Sequence, residues 1–253
     1  MRTSGPESYG AFAYAYDRAL GERFFRSAKR MLTGVLDRYG EPAGKTHLDL
    51  ACGTGLAMRF FATRGYRSTG VDASMPMLAV ARDRVKRLAA ADFRSLPFRR
   101  TFARITCLFD SLNHMKSRDE LAAAFRAVRG VMDHDSLFIF DMNHPDIYPE
   151  VWGMKDPFVA SGEDYHLEIA TAFRKRDATG LALVTGWARL PSGTVSKISE
   201  RHEQRAHSEL DISSALSEAG LVPAEVSDFD PYNESDTIEA RTVKLFFVCR
   251  AGV

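Results

Sequence analysis

The sequence predicts an α/β domain with a doubly wound, mostly parallel sheet and a small antiparallel β insertion. Three observations carry that prediction. Over the first 142 residues short apolar runs alternate with amphipathic stretches, the rhythm of βαβ units. From about Glu163 to His207 apolar runs follow one another across turn residues with no helix between them, as in an antiparallel meander. After His207 the first rhythm returns. Residues 1–142 and 207–253 are therefore assigned to one main domain with an N-terminal helical lid, and 143–206 to the insertion.

Each element has its own signal. Tyr9, Phe12, Tyr16 and Leu20 recur at spacings of three and four, one aromatic helical face, and a longer helix follows between Glu22 and Tyr39. His47–Ala51 is a strand that runs into a glycine turn, and a helix spans Leu56–Arg64 with Gly65 as its stop. Arg67–Val71 is the second strand. Ser74 caps a helix that carries Pro76 in its first turn and runs to about Arg84. Arg87–Ala91, Ile105–Phe109 and Leu137–Phe140 are the third to fifth strands. Ser117 and Glu120 form a capping box before Leu121–Val128, and Gly130 closes that helix. Asn143–Pro157, with three prolines, reads as irregular chain. The meander consists of Tyr165–Arg174, Leu181–Leu190 and Val195–Ala206. Ser208 and Asp211 cap a helix to Ala219, a strand follows near Val222–Asp228, and Thr242–Arg250 is apolar enough to lie inside a sheet.

The 253 residues are 45% hydrophobic and 26% charged, which supports a packed core and excludes global disorder. No apolar run reaches membrane-spanning length, and the polar opening MRTSGPESYG lacks the apolar stretch of a signal peptide, so a cytoplasmic location is expected. A formal net charge of +1 argues against large duplex nucleic acid as a partner. The basic stretch from Arg82 to Arg104 reads as a solvated face. Cys52, Cys107 and Cys249 are far apart, and neither a disulfide framework nor a metal-ligand spacing is present.

The chemistry-bearing segment is Leu48-Asp49-Leu50-Ala51-Cys52-Gly53-Thr54-Gly55, a strand ending in a tight glycine turn that opens a helix. Glycine there permits positive φ and lets a ligand approach the backbone. A dinucleotide site wants a third glycine where Met58 stands. Asp72 follows Gly55 by seventeen residues at the end of the second strand, where a carboxylate can accept from both hydroxyls of a ribose. Asp49 precedes the turn and can meet a cationic ammonium group. His114, after the fourth strand, is the candidate base by position; the plainer reading is a partly exposed loop histidine.

In order along the chain, LDLACGTG, GVDAS, ADFRSLPF and CLFDSLNHM resemble the successive motifs of the class I S-adenosylmethionine-dependent methyltransferases. Tyr9 to Asp17 resembles the Y-x-x-F-A-x-x-Y-D opening of the small-molecule members of that family. The resemblance covers about residues 9–142, and Val243–Arg250 more loosely. It implies a Rossmann-like seven-stranded sheet with its last strand antiparallel. It implies S-adenosyl-L-methionine as cofactor, S-adenosyl-L-homocysteine as product, and in-line transfer of a methyl group to a small-molecule nitrogen or oxygen. By the same resemblance Asp49, Ala51, Gly53 and Gly55 surround the methionine part, and Asp72 holds the ribose. Ala73 and Met77 lie against the adenine, Asp92 accepts from its amino group, and Phe93 flanks the ring. Phe109 and Asp110 lie beside the sulfonium, although Ser111 and Asn113 offer local reasons for a carboxylate at 110.

Tyr9 and Tyr16 are expected to place a hydroxyl near the methionine end, as part of a lid or as ordinary core. The insertion is expected to line the acceptor pocket with Trp152, Phe158, Tyr165, Phe173 and Trp187 and with Arg174, Lys175, Arg176 and Arg189; its composition also suits a homodimer interface. Trimming it is expected to spare cofactor binding. A nicotinamide oxidoreductase, an RNA or protein methyltransferase and a nucleoside-binding protein without turnover remain as rival readings.

Overall fold

A computed structural model describes residues 9–231 and 243–252. The first eight residues of the polar opening, and Thr242 of the last expected strand, lie outside the described residues. Seven strands form one sheet in the order β10-β11-β5-β4-β1-β2-β3. These are β1 (Thr46–Leu50), β2 (Arg67–Asp72), β3 (Leu88–Ala90), β4 (Arg104–Cys107), β5 (Leu137–Asn143), β10 (Leu221–Phe229) and β11 (Lys244–Ala251). The first five are parallel to one another; β11 runs antiparallel between β5 and β10. The expected seven-stranded sheet is therefore present, with the chain's last strand inserted before its edge.

Both faces of this sheet are covered, which is why β5 is buried at all seven positions. Phe138, Phe140 and Met142 meet α5 (Arg118–Arg129) and α7 (Glu209–Glu218) on one side. Leu137 and Ile139 meet α2 (Glu22–Tyr39) and α3 (Leu56–Ala62) on the other. Caps set the helix starts. Ser74 Oγ accepts from Met77 N at the head of α4 (Met75–Ala81), and Ser208 with Asp211 forms a full capping box on α7. On α5 only half the expected box forms: Ser117 accepts from Glu120 N, while the Glu120 carboxylate accepts from Lys116 N instead.

Three elements depart from expectation. A short helix, α6 (Ile147–Val151), forms inside the proline-rich stretch; Pro149 lies in its first turn, where no amide partner is lost. β6 (Phe158–Gly162) adds a strand to the edge of the meander β7 (Tyr165–Arg174), β8 (Thr179–Arg189) and β9 (Val195–Arg205). As a largely exposed edge strand it carries no apolar contrast to read. β4 ends at Cys107 rather than Phe109, because Phe109 and Asp110 turn into positive φ, 62° and 47°.

The N-terminal stripe folds as α1 (Phe12–Tyr16), one wider π-helical turn at Asp17–Gly21, and then α2. The second sheet stands over the carboxyl ends of β4 and β5. Asn113 Nδ2 donates to Arg205 O at 2.9 Å, and the Gln204 amide donates to Asp110. Among the described residues no helix is long and apolar enough to cross a membrane.

Candidate functional site

The order of strands reverses between β1 and β4, and open α/β sheets bind ligands in the crevice at that switch point. A cavity of about 870 Å³ occupies it, within the usual range for small-molecule sites, roughly 300–1,000 Å³.

The turn after β1 builds one wall. Ala51, Gly53 and Gly55 take positive φ of 48°, 52° and 86°. A Cβ on Gly53 would meet nothing within 4 Å, so its backbone faces open space. Gly55 does not line the cavity; its left-handed turn opens α3, and a Cβ there would press on Val85 at 3.2 Å. Asp72 locks the turn to the next strand: its carboxylate accepts from Gly53 N at 2.8 Å and Ser74 N at 2.7 Å. Burial raises the Asp72 carboxyl, and these amides pull it back down. Met58, which stands where a dinucleotide motif has its third glycine, packs with Cys52 over Gly70, where a Cβ would lie 2.5 Å from the Met58 sulfur. The chain thus moves the small residue from the helix to β2.

A buried relay lies behind Asp49. Thr106 Oγ1 donates to Asp49 Oδ1 at 2.5 Å. His47 Nε2 lies 2.8 Å from the same hydroxyl, and its Nδ1 lies 3.0 Å from Ser68 Oγ. Since Thr106 donates onward, His47 must be the donor at Nε2 and the acceptor at Nδ1, a neutral imidazole. Burial pushes His47 down to about 3 and Asp49 up to about 7.

Ala73, Met77, Asp92 and Phe93 line the far end of the cavity. The Asp92 side chain is 46% exposed and grips Arg94: Nε lies 3.0 Å from both carboxylate oxygens, which holds the carboxyl below its ordinary value. Asp92 therefore stands at the rim with its oxygens already engaged.

The near end is closed by the N-terminal segment and the second sheet. Tyr9, Tyr16, Phe109, His114 and His202 line both the large cavity and a smaller one of about 170 Å³. Phe12 of the same stripe lines only the smaller cavity and is packed among Tyr165, Leu167 and Val184. Asp17 fastens the segment: it accepts from Thr54 Oγ1 at 2.6 Å and pairs with Arg84. His114 ends a short 3-10 turn, Ser111–His114, and is half-buried, in keeping with the plainer reading of a partly exposed histidine. Its Nδ1 donates to Glu203 O at 2.9 Å, which leaves Nε2 with a free lone pair, and burial, followed by His202, lowers its basicity.

Asp110 lies only in the smaller cavity, bonded to Lys244 and Gln204. Burial works to raise it, but the Lys244 ammonium outweighs burial and holds it low. Asp141, fully buried, accepts from Phe109 N at 2.7 Å, Asp110 N at 3.0 Å and Lys244 Nζ at 2.9 Å, which supports the left-handed turn there.

Of the insertion's aromatic residues only Trp152 reaches the smaller cavity; Tyr165 is core, Phe173 packs on Tyr148, and Phe158 is exposed. Its basic residues line neither cavity: Arg174 pairs with Asp177 and Arg189 with Asp164. Sequence reading missed Asp141, Lys244, Glu200 and Gln204. The first two left a trace: Asp141 is the single charge in the apolar run of β5, and Lys244 opens an apolar run that reaches as far as Arg250. Among the described residues no cluster of His, Cys, Asp and Glu could hold a metal ion.

Residues 48–135 match the family model described as methyltransferase domain. A protein of Geobacillus sp. (strain WCH70) named as a methyltransferase is 26% identical over 96% of this chain and 99% of its own. The dTDP-3-amino-3,6-dideoxy-alpha-D-glucopyranose N,N-dimethyltransferase of Streptomyces fradiae is 30% identical over 63% of each chain. The crystal structure of an S-adenosylmethionine-dependent methyltransferase from Clostridium acetobutylicum ATCC 824 superposes with a TM-score of 0.78 at 24% identity, covering 97% of this chain and 99% of that one.

Proposed function

We propose that this chain, which carries a methyltransferase domain over residues 48–135, is a class I S-adenosylmethionine-dependent methyltransferase whose large cavity holds the donor, and that the methyl group crosses the wall of five shared side chains to a nitrogen or oxygen nucleophile in the smaller cavity. That shared wall is the observation that carries the reading. A donor and an acceptor bound on its two sides meet at Tyr9, Tyr16, Phe109, His114 and His202 and nowhere else in the two linings.

The residues present fit the donor. Asp72 keeps lone pairs for ribose hydroxyls after accepting two amides, and Ala73, Met77 and Phe93 offer apolar contact to a purine. Asp49, Ala51 and Gly53 suit the amino-acid end, and Asp49 suits its ammonium. Asp110 is removed from the donor set and given to the acceptor side. Asp92, engaged by Arg94, is given a minor part. When bound, the donor supplies a methyl group made electrophilic by a sulfonium.

The chain supplies alignment, exclusion of water by the N-terminal segment, and a place for the proton. His114 Nε2 can take a proton from the attacking nitrogen or oxygen. As the new bond to carbon forms, the carbon–sulfur bond breaks and sulfur keeps its electron pair. The Streptomyces fradiae relative is named for N,N-dimethylation of an amino sugar, which supports a small-molecule acceptor here.

Calorimetry tests the reading. Binding of S-adenosylhomocysteine is expected, and of NAD not; tight NAD binding with no response to the sulfur nucleoside would refute it. Asp72→Ala is expected to weaken binding by about 1–3 kcal/mol, the range for leaving buried polar groups unpaired. Asp92→Ala is expected to cost less than Asp72→Ala.

A further inference from the structure

The smaller cavity is one-sided in charge. Asp110 is its carboxylate, and neither lysine nor arginine lines it; His114, His202, Gln204, the hydroxyls of Tyr9 and Tyr16 and the indole of Trp152 complete its polar lining. One N–H of the Gln204 amide donates to Asp110, and its oxygen accepts from Asn143 at 2.9 Å and Tyr148 at 3.0 Å. His114 keeps only an acceptor lone pair. His202 is buried, and neither of its ring nitrogens has a hydrogen-bond partner among the described residues. Its Nε2 lies 3.2 Å from Glu200 Oε2, an oxygen that accepts from Tyr9 N at 2.8 Å.

Two carboxylates, Asp110 and Asp141, share the one ammonium of Lys244, whose side chain is only 2% exposed against 22% for Asp110. The wall between the cavities therefore stands in a negative field. The Tyr9 hydroxyl stands in the same field: burial opposes its ionisation first, and Asp72, Asp110 and Glu200 add to the opposition. The remaining walls are largely apolar: rings, among them Tyr16, Phe109 and Trp152, and the aliphatic side chains of Leu20, Ile169, Ala182 and Val184.

Resting on the donor and acceptor reading above, we propose that this cavity takes a compact cationic amine. Its ammonium is held by Asp110, with the Glu200 carboxylate behind His202 adding negative charge, and its apolar part lies against Tyr16, Phe109 and Trp152. Acceptors with a carboxylate or phosphate in this cavity are disfavoured beside Asp110, since neither lysine nor arginine lines it to offset the like charge. The volume of about 170 Å³ is the room of roughly six waters at their liquid volume, so a compact head group fills it. Aromatic faces favour a cation there.

The reaction requires the nitrogen to lose its charge before it attacks. One proton passes from the ammonium to His114 Nε2. The freed lone pair then forms the nitrogen–carbon bond while the carbon–sulfur bond breaks onto sulfur, and His114 returns its proton to solvent. Asp110 thus decides which acceptor enters, and His114 decides when it reacts.

Calorimetry on the whole chain, saturated with S-adenosylhomocysteine, tests this with benzylamine, benzyl alcohol and benzoate as probes. Benzylamine is expected to bind at least tenfold more tightly than the alcohol, and benzoate not at all. Asp110→Asn is expected to bring the amine to within about twofold of the alcohol. If that variant does not fold, Glu200→Gln carries the same comparison. Failure of S-adenosylhomocysteine to bind overturns the donor site and this inference with it. Donor-product binding without an amine preference, or equal loss of amine and alcohol in the variant, overturns the inference alone.

Discussion

His47 and Asp49 titrate in opposite senses, and Thr106 joins them. Burial takes His47 from 6.5 to about 3 and Asp49 from 3.8 to about 7. Between about pH 4 and 6.5 the unfolded pair carries one proton, on the imidazole. The folded pair also carries one, on the carboxyl. Stability follows pH only where the two states differ in protons bound, so this pair contributes little slope in that window. Each single variant removes the cancellation. In His47→Gln the folded state alone holds a proton, on Asp49, and stability is expected to fall as pH rises from about 4 to 7. In Asp49→Asn the unfolded state alone holds one, on His47, and stability is expected to rise as pH rises from about 3 to 6.5. The limiting slope for one proton is about 1.4 kcal/mol per pH unit. Urea unfolding at a series of pH values reads all three proteins, and identical slopes would separate the two residues from any linkage.

At the scale of the element, the N-terminal segment is held by chemistry that its aromatic spacing does not show. The wider turn at Asp17–Gly21 carries Asp17 inward, where Thr54 from the glycine turn and Arg84 from beyond α4 meet it. A latch between the lid and the donor turn follows. Asp17→Asn is expected to speed hydrogen exchange across residues 9–21 without touching β5, and to weaken donor binding by about 1–3 kcal/mol, less than a fully buried pair because Arg84 is partly exposed. Unchanged exchange in residues 9–21 would leave the segment as ordinary core. The contrast with the helices is instructive. α4 and α7 were legible because a cap is a local event between residues three apart. The glycine turn and Asp72 were legible because each sits at a strand end within one βαβ unit. Asp141 under the Phe109–Asp110 turn, Glu200 on Tyr9 N and Gln204 on Asp110 act across 31 to 191 residues. No periodicity or spacing brings such partners together; only the folded sheet order does. Sequence reading therefore found the donor side, which is built from consecutive units, and missed most of the acceptor side, which is built from distant ones.

The whole molecule is less divisible than its sequence pattern suggests. The second sheet packs Leu167, Val184 and Ile198 against Phe12 and Ala15 of the lid, and its last strand supplies His202 to the wall between the cavities. Tyr9 N donates to Glu200, Asn113 donates to Arg205 O, and Asn143 at the end of β5 bonds Gln204. Excising residues 158–205 would leave these groups without partners and expose the apolar side of α1, so the expectation that the insertion can be trimmed without loss is replaced by its opposite. The shortened chain is expected to lose binding of S-adenosylhomocysteine while the main sheet, whose two-sided core lies elsewhere, still forms. Far-ultraviolet circular dichroism reads the sheet and calorimetry reads the ligand. Donor-product affinity equal to that of the intact chain would show that the lid closes without the second sheet. Loss of affinity with the sheet retained would show that the donor cavity is completed by the strands that shape the acceptor's.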